Sequence, residues 1–155
     1  MSAKNGGSVA ARNELIRQSQ IVVSDRPSEL GPAELSEDNL KKHLAKWLEA
    51  AGWGVTIAWG KERGIDIIAT RSGYRWIIEA KGIGSRPEMR VNYFLAILGE
   101  LLQRMNDNTA RYSIALPDVP QFRGLWQRLP RVAKARLSIS ALFVNSDGTV
   151  LESLE

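Results

Sequence analysis

Three charged side chains lie within two short apolar segments of the chain. Asp66 interrupts Gly-Ile-Asp-Ile-Ile-Ala at residues 64–69, and Glu79 and Lys81 interrupt Trp-Ile-Ile-Glu-Ala-Lys at residues 76–81. Charged groups are costly to bury unless they are paired or bind an ion. Two carboxylates and an ammonium group in such positions could hold a metal ion and act on a negatively charged substrate.

A β-hairpin would bring these three side chains together. Both segments are rich in β-branched and aromatic residues, and Arg71-Ser72-Gly73-Tyr74 between them is typical of a tight turn. A two-residue loop at Ser72-Gly73 pairs Arg71 with Tyr74, and the same register pairs Asp66 with Glu79. Because side chains alternate along a strand, Lys81 shares a face with these acids. The opposite face would then carry apolar residues only: Ile65, Ile67, Ala69, Ile78 and Ala80.

Two like charges directly opposite each other across a hairpin destabilise it, since their Cβ atoms are only about 4.5–5.5 Å apart. A divalent cation between Asp66 and Glu79 would remove that repulsion. The structural alternative is that Lys81 forms an ion pair with Glu79 or Asp66 at the end of its strand and has no further role.

The composition limits the kind of metal site that the chain can build. The chain has 155 residues, a formal net charge of +4, no cysteine and a single histidine, His43. Thiolate chemistry and a site of several histidines from one chain are therefore excluded. Carboxylate oxygens suit Mg²⁺ or Mn²⁺. The weak positive charge permits a polyanionic partner without requiring one.

A helix is predicted before the hairpin, beginning after the N-cap residue Ser36 and ending at Gly52. Glu37 lies three residues before Leu40 and seven before Leu44, so it projects from the apolar side of this helix. An acid in the first turn is also stabilised by the helix dipole, which gives Glu37 a purely structural explanation. The apolar side comprises Leu40, Leu44, Trp47, Leu48 and Ala51.

The same patterns predict the remaining elements. Strands are expected at residues 55–59, 112–116 and 137–144, and a third helix is expected to be capped by Asp118 and interrupted by Pro130. A second helix follows Pro87, and its apolar stripe is either core or a dimer face: Val91, Phe94, Leu95, Leu98, Leu101, Leu102 and Met105.

The arrangement of Gly-Ile-Asp, a turn and then apolar-Glu-Ala-Lys resembles the restriction-endonuclease-like, PD-(D/E)XK nuclease superfamily. The motif here is Asp66, a gap of twelve residues, and Glu79-Ala80-Lys81, within a matching order of elements over residues 36–145. The resemblance implies an α/β fold with a core of a helix, a three-stranded antiparallel meander, a helix, a strand, a helix and a strand. Its central sheet is mixed and flanked by helices.

The resemblance also implies roles for particular residues. Asp66 and Glu79 would hold Mg²⁺ or Mn²⁺, Glu37 would complete the metal shell, and Lys81 would position a water or stabilise developing charge. Glu100 stands where some members of the superfamily carry a glutamine on the second helix. Glu100 or Gln103 could therefore approach the active site, although an exposed polar position on a packed helix explains either residue.

The most basic stretch of the chain lies between residues 123 and 136, which hold five basic residues and no acidic one. Such side chains could contact the phosphates of a nucleic acid, or they could simply be solvated on a surface helix. The residues expected to bind nucleic acid are Arg123, Arg128, Arg131 and Lys134.

Residues 1–35 are predicted to form a mobile N-terminal arm, possessing at most a short helix, before a nuclease-like domain at residues 36–155. Neither a signal peptide nor an apolar run long enough to span a membrane is visible, so we expect a cytoplasmic protein.

Together these patterns predict a metal-dependent endonuclease that hydrolyses phosphodiester bonds of nucleic acid, with DNA favoured as the substrate. Two alternatives remain open. One is a noncatalytic nucleic-acid-binding or regulatory protein on the same fold. The other is a nuclease subunit that needs a partner.

Overall fold

A mixed six-stranded sheet flanked by helices forms the described part of the chain. The computed structural model describes residues 35–155, so the predicted arm lies outside the described residues except for residue 35. The elements are α1 (Glu37–Ala50), β1 (Gly54–Ile57), β2 (Ile67–Arg71), β3 (Tyr74–Ala80), a 3₁₀ turn (Pro87–Met89), α2 (Arg90–Arg104), β4 (Arg111–Pro117), α3 (Pro120–Arg128), α4 (Arg131–Leu137), β5 (Ile139–Val144) and β6 (Val150–Ser153).

The strands follow one another across the sheet in chain order, from β1 to β6. The first three form an antiparallel meander, β3, β4 and β5 are parallel to one another, and β6 returns antiparallel to β5. The two parallel connections each pass through helices, as parallel pairing requires. The predicted fold class is confirmed, with β6 added at the edge.

The β2–β3 hairpin has the predicted register. Arg71 pairs with Tyr74 and Ile67 pairs with Ile78. Ser72 and Gly73 both have positive φ angles, 50° and 82°, as the central residues of a type I′ turn must. This turn fixes which residues reach the far end of the hairpin, where the motif residues lie.

Helix α1 begins where the sequence predicts. The Ser36 hydroxyl accepts a hydrogen bond from the Asn39 amide at 3.4 Å, which satisfies one of the free amides of the first turn. Leu40, Leu44 and Leu48 are fully buried. The helix ends before Gly52, whose φ of 82° suits a left-handed C-terminal position.

The sheet is covered on both faces. Helix α1 packs on the face that includes Ile67, Trp76 and Ile78. Helices α2 and α3 supply residues such as Ile97 and Phe122 to the core on the opposite face. Within residues 35–155, no helix is long and apolar enough to cross a lipid bilayer.

One detail of the predicted side-chain placement is wrong, and the core covers only part of the predicted stripe on α2. Ile65 packs with the core beneath α2 instead of sharing the face of Ile67, because the β2–β3 ladder begins only at Ile67 and alternation does not extend to residue 65. On α2, Ile97 is buried, whereas Val91, Leu95 and Leu102 are exposed. The predicted apolar stripe is therefore wider than the side of α2 that the core covers.

Boundaries also differ near the other helices. Val119, not Asp118, is the N-cap residue of α3, and the Asp118 carboxylate instead forms an ion pair with Arg123. Pro130 separates α3 from α4, as expected of a residue that cannot continue a helix. The last long strand starts at Ile139 because Leu137 still belongs to α4.

Candidate active-site cleft

The motif residues line one open, polar cleft at the end of β3. Its volume is about 450 Å³. Glu37 comes from the first turn of α1, the chain before β2 supplies Asp66, the end of β3 supplies Glu79 and Lys81, and α2 supplies Glu100. The other lining residues are Gly60, Glu62, Arg63, Gly64, Ala80 and Arg104.

Asp66 lies just before β2 and is hydrogen-bonded both to the chain that follows β1 and to the end of β3. Its carbonyl oxygen accepts a hydrogen bond from the Ala58 amide at 2.9 Å. Its carboxylate Oδ2 accepts one from the Ala80 amide at 2.8 Å. The side chain thus takes the place that a backbone acceptor would have in a longer hairpin, and it holds the carboxylate against the end of β3.

Glu79 is an almost fully buried acid, with 2% of its surface exposed. Burial, followed by a hydrogen bond and charge repulsion with Asp66, raises the pKa of Glu79 to about 7 against the opposing effect of Arg104. The predicted approach of two carboxylates is therefore found, and a proton on Glu79 relieves their repulsion at neutral pH and below.

Two cations that the sequence analysis did not select neutralise these acids. The Lys41 ammonium lies 2.7 Å from Asp66 Oδ1, and the Arg104 Nε donates to Glu79 Oε1 at 2.9 Å. The sequence contains a signal for both. Lys41 is four residues after Glu37 and three before Leu44, and Arg104 is three after the buried Leu101, so each lies toward the buried side of its helix.

Lys81 and Glu37 form the more open edge of the cleft. Lys81 Nζ lies 4.0 Å from Glu37 Oε2, and the two side chains are 30% and 33% exposed. Lys81 remains in line with the sheet because its amide donates to the carbonyl of Ala115 at 3.0 Å. The backbone of Lys81 is therefore held at the end of β3, while its side chain is partly exposed to solvent.

The carboxylates of Asp66 and Glu79 suit a magnesium ion, which proteins commonly hold through one or two carboxylates together with substrate phosphates. Burial and the repulsion from Asp66 raise the pKa of Glu79, and a divalent cation would relieve that repulsion. Within residues 35–155, no three acidic or histidine side chains are grouped to hold a metal ion. The pair fits such an ion, and Glu37 as a further ligand stays a prediction.

The two polar candidates on α2 are placed differently. Glu100 lines the cleft, whereas Gln103 is exposed and is not among the residues that line it. Arg104, the next residue along the helix, also donates to the carbonyl of Gly64 at 2.8 Å. This bond attaches the last turn of α2 to the loop that leads into Asp66.

The four residues predicted to contact nucleic acid do not form a uniform surface. Arg128 and Arg131 are exposed. Arg123 forms an ion pair with Asp118, and Lys134 is 3% exposed with its ammonium 4.7 Å from the centre of the Trp126 ring. Phosphate binding by these residues stays a prediction, and Lys134 faces the protein interior.

Comparisons with known proteins indicate the fold. No protein-family model and no curated protein matches the chain. An XisH family protein from Nostoc punctiforme has 20% sequence identity and a TM-score of 0.50, with 72% of this chain and 95% of that chain covered. An fdxN element excision controlling factor protein from Anabaena variabilis has 16% identity and a TM-score of 0.51, with 75% and 98% covered.

Proposed function

We propose that this protein is a metal-dependent endonuclease whose active site is the cleft at the end of β3. The observation that carries the proposal is the buried carboxyl group of Glu79, held beside Asp66 with a pKa raised to about 7. Such a pair is costly for folding, and perturbed acids that share a cleft are typical of functional sites. Lys81, which lines the same cleft, supplies the positive group that phosphodiester chemistry needs.

Each residue of the cleft has a distinct role in the proposed reaction. Asp66 and Glu79 are the residues that would hold Mg²⁺, and above pH 7 Glu79 is available as a carboxylate. When bound, the ion would polarise the scissile phosphate and lower the pKa of a water. The partly exposed side chain of Lys81 orients the attacking water or stabilises negative charge that develops on the phosphate. Glu37 steadies Lys81 from 4.0 Å.

DNA is the first substrate to test. The neighbour from Anabaena variabilis is described as controlling the excision of an fdxN element. That role belongs to the neighbour, and at 16% identity it transfers no residue to this chain. It is nevertheless a reason to test DNA before RNA.

A noncatalytic nucleic-acid-binding or regulatory protein is the second candidate. Lys41 and Arg104 already form ion pairs with Asp66 and Glu79. An arrangement in which protein cations replace the metal would keep the fold and still bind a polyanion. This candidate predicts binding without cleavage in any divalent metal.

A cleavage assay on several forms of DNA separates the two candidates. Purified protein is incubated with plasmid, linear, branched and single-stranded DNA in Mg²⁺, Mn²⁺ or EDTA. The nuclease predicts cleavage in metal and none in EDTA. Binding to DNA with every form left intact in both metals would favour the noncatalytic candidate, and cleavage that appears only with an added protein would indicate a subunit.

A further inference from the structure

Lys41 is a buried cation behind the wall of the proposed active site, in contact with the lining residues Glu37 and Asp66. Only 1% of its surface is exposed, although lysine is among the residues that proteins rarely bury unpaired. It lies on α1 one turn after Glu37, between the buried Leu40 and Leu44. Its position therefore requires oxygen atoms around the ammonium group to replace water.

Each of the three N–H donors of the ammonium group has an oxygen within reach. Lys41 Nζ lies 2.7 Å from Asp66 Oδ1 and 3.0 Å from Glu37 Oε1, and it donates to the carbonyl of Ala58 at 3.0 Å. Since a lysine has three such donors, this group is fully satisfied and its direction is fixed. Burial opposes its charge, but the bonds to Asp66 and Glu37 outweigh that effect and raise its pKa.

The ammonium group lies directly between two of the predicted metal ligands. A metal ion that bridges Glu37 Oε1 and Asp66 Oδ1 would need the place that Lys41 Nζ already holds, 3.0 Å from the first oxygen and 2.7 Å from the second. The other carboxylate oxygen of Asp66, Oδ2, accepts a hydrogen bond from the amide of Ala80, the residue after Glu79, and both acids line the cleft. The Asp66–Glu79 side is therefore the side on which a divalent ion meets two carboxylates.

We propose that Lys41 is a positioning residue that acts as a built-in cation: it fixes Asp66 and occupies the gap between Glu37 and Asp66, so that a divalent ion binds on the Asp66–Glu79 side. This inference rests on the proposed function. Glu37 then serves as an anchor for Lys41 and Lys81, a different role from the metal ligation that the family resemblance implies. Lys41 touches neither substrate nor the reacting atoms.

Titration of the full chain with Mn²⁺, without nucleic acid, tests this inference by calorimetry. We expect one bound ion in the wild type. Lys41→Met should bind that ion at least about tenfold more tightly, because a positive charge next to Asp66 repels a divalent ion. Lys42→Met, which changes the exposed neighbouring residue, should bind as the wild type does and serves as the control.

A double variant covers the case in which Lys41→Met fails to fold. Lys41→Met combined with Glu37→Gln removes one charge of each sign, so the cleft keeps its balance. If Glu37 is only an anchor, the double variant should bind Mn²⁺ at least as tightly as the wild type. If it binds about tenfold more weakly, Glu37 is a metal ligand and our inference is overturned.

The melting temperature gives a second readout that is independent of activity. The rise caused by Mn²⁺ should be larger in Lys41→Met than in the wild type, since tighter binding to the folded state stabilises it more. A purely structural lysine would lower the melting temperature and leave the response to metal unchanged, which would also overturn the inference. A wild type that binds no Mn²⁺ would instead remove the proposed function itself.

Discussion

The substitution Glu79→Gln should make the protein more stable above pH 7 in the absence of metal. The unperturbed pKa of a glutamate is 4.5, and in the folded protein Glu79 has a pKa of about 7. This difference corresponds to roughly 3 kcal/mol, since one pKa unit is worth about 1.4 kcal/mol. Glutamine keeps the shape of the side chain and an acceptor for Arg104 but carries no charge to bury.

The direction of the effect follows from which state holds the proton. Between pH 4.5 and about 7 the folded protein keeps a proton on Glu79 that the unfolded chain has lost. Wild-type stability therefore falls as pH rises through this interval, and the contribution is fully lost above pH 7. The variant has no such loss at this site. Its advantage over the wild type should thus grow by roughly 3 kcal/mol between pH 4.5 and pH 8.

Urea unfolding followed by tryptophan fluorescence in EDTA measures this difference, since the chain has five tryptophans. A gain of that size would also raise the melting temperature by roughly 6–12 °C in a chain of this length. Glu49→Gln, at an exposed position on α1, is the matched control and should show no growing advantage. Parallel pH profiles for Glu79→Gln and the wild type would refute the reasoning, because Glu79 would then be ionised in both states.

Three further outcomes are expected. Arg104→Met should raise the pKa of Glu79 further, since Arg104 now lowers it. A ¹³C NMR titration of the Glu79 carboxyl group measures this pKa, and an unchanged midpoint would contradict the ion pair. Below pH 7, binding of Mn²⁺ should release about one proton because the metal displaces that proton from Glu79. Calorimetry in buffers of different ionisation enthalpy detects the released proton, and binding without proton release would place the ion elsewhere. Arg128→Ala combined with Arg131→Ala should flatten the slope of log affinity for DNA against log salt by roughly 0.9 per lost phosphate contact. Binding isotherms in Ca²⁺ at several salt concentrations measure this slope, and an unchanged slope would make both residues ordinary surface charges.

Local patterns were sufficient to predict most of the framework around the site. The two-residue turn at Ser72-Gly73 determined the hairpin register, and the Ser36 cap with its following leucines determined α1. Both depend on interactions between residues that are close in the sequence. Errors arose where alternation was extended past the end of a ladder, as for Ile65, which packs on the other face.

The charge balance of the cleft was harder to predict because it depends on contacts between distant elements. The pairs that neutralise Asp66 and Glu79 come from α1 and α2, 25 residues away in sequence in each case. In the sequence, Lys41 and Arg104 each appear as a basic residue toward the buried side of a helix. The same pattern also fits a side chain whose stem packs on the core while its charge stays in solvent. Only the tertiary structure shows that the Lys41 ammonium and the Arg104 guanidinium each reach one of the two carboxylates of the cleft.

Cleavage of plasmid DNA by active-site variants tests the central claim most directly. Initial rates are measured at pH 8 in Mg²⁺ for the wild type and for Asp66→Ala, Glu79→Ala and Lys81→Ala, with Lys46→Ala, at an exposed position on α1, as the control. The proposed function predicts metal-dependent cleavage by the wild type and the control, and none by the three variants that change the cleft. Circular dichroism is used to check that each variant is folded. Cleavage by Lys81→Ala at the wild-type rate, after a contaminating nuclease has been excluded, would contradict the claim that this cleft is the active site.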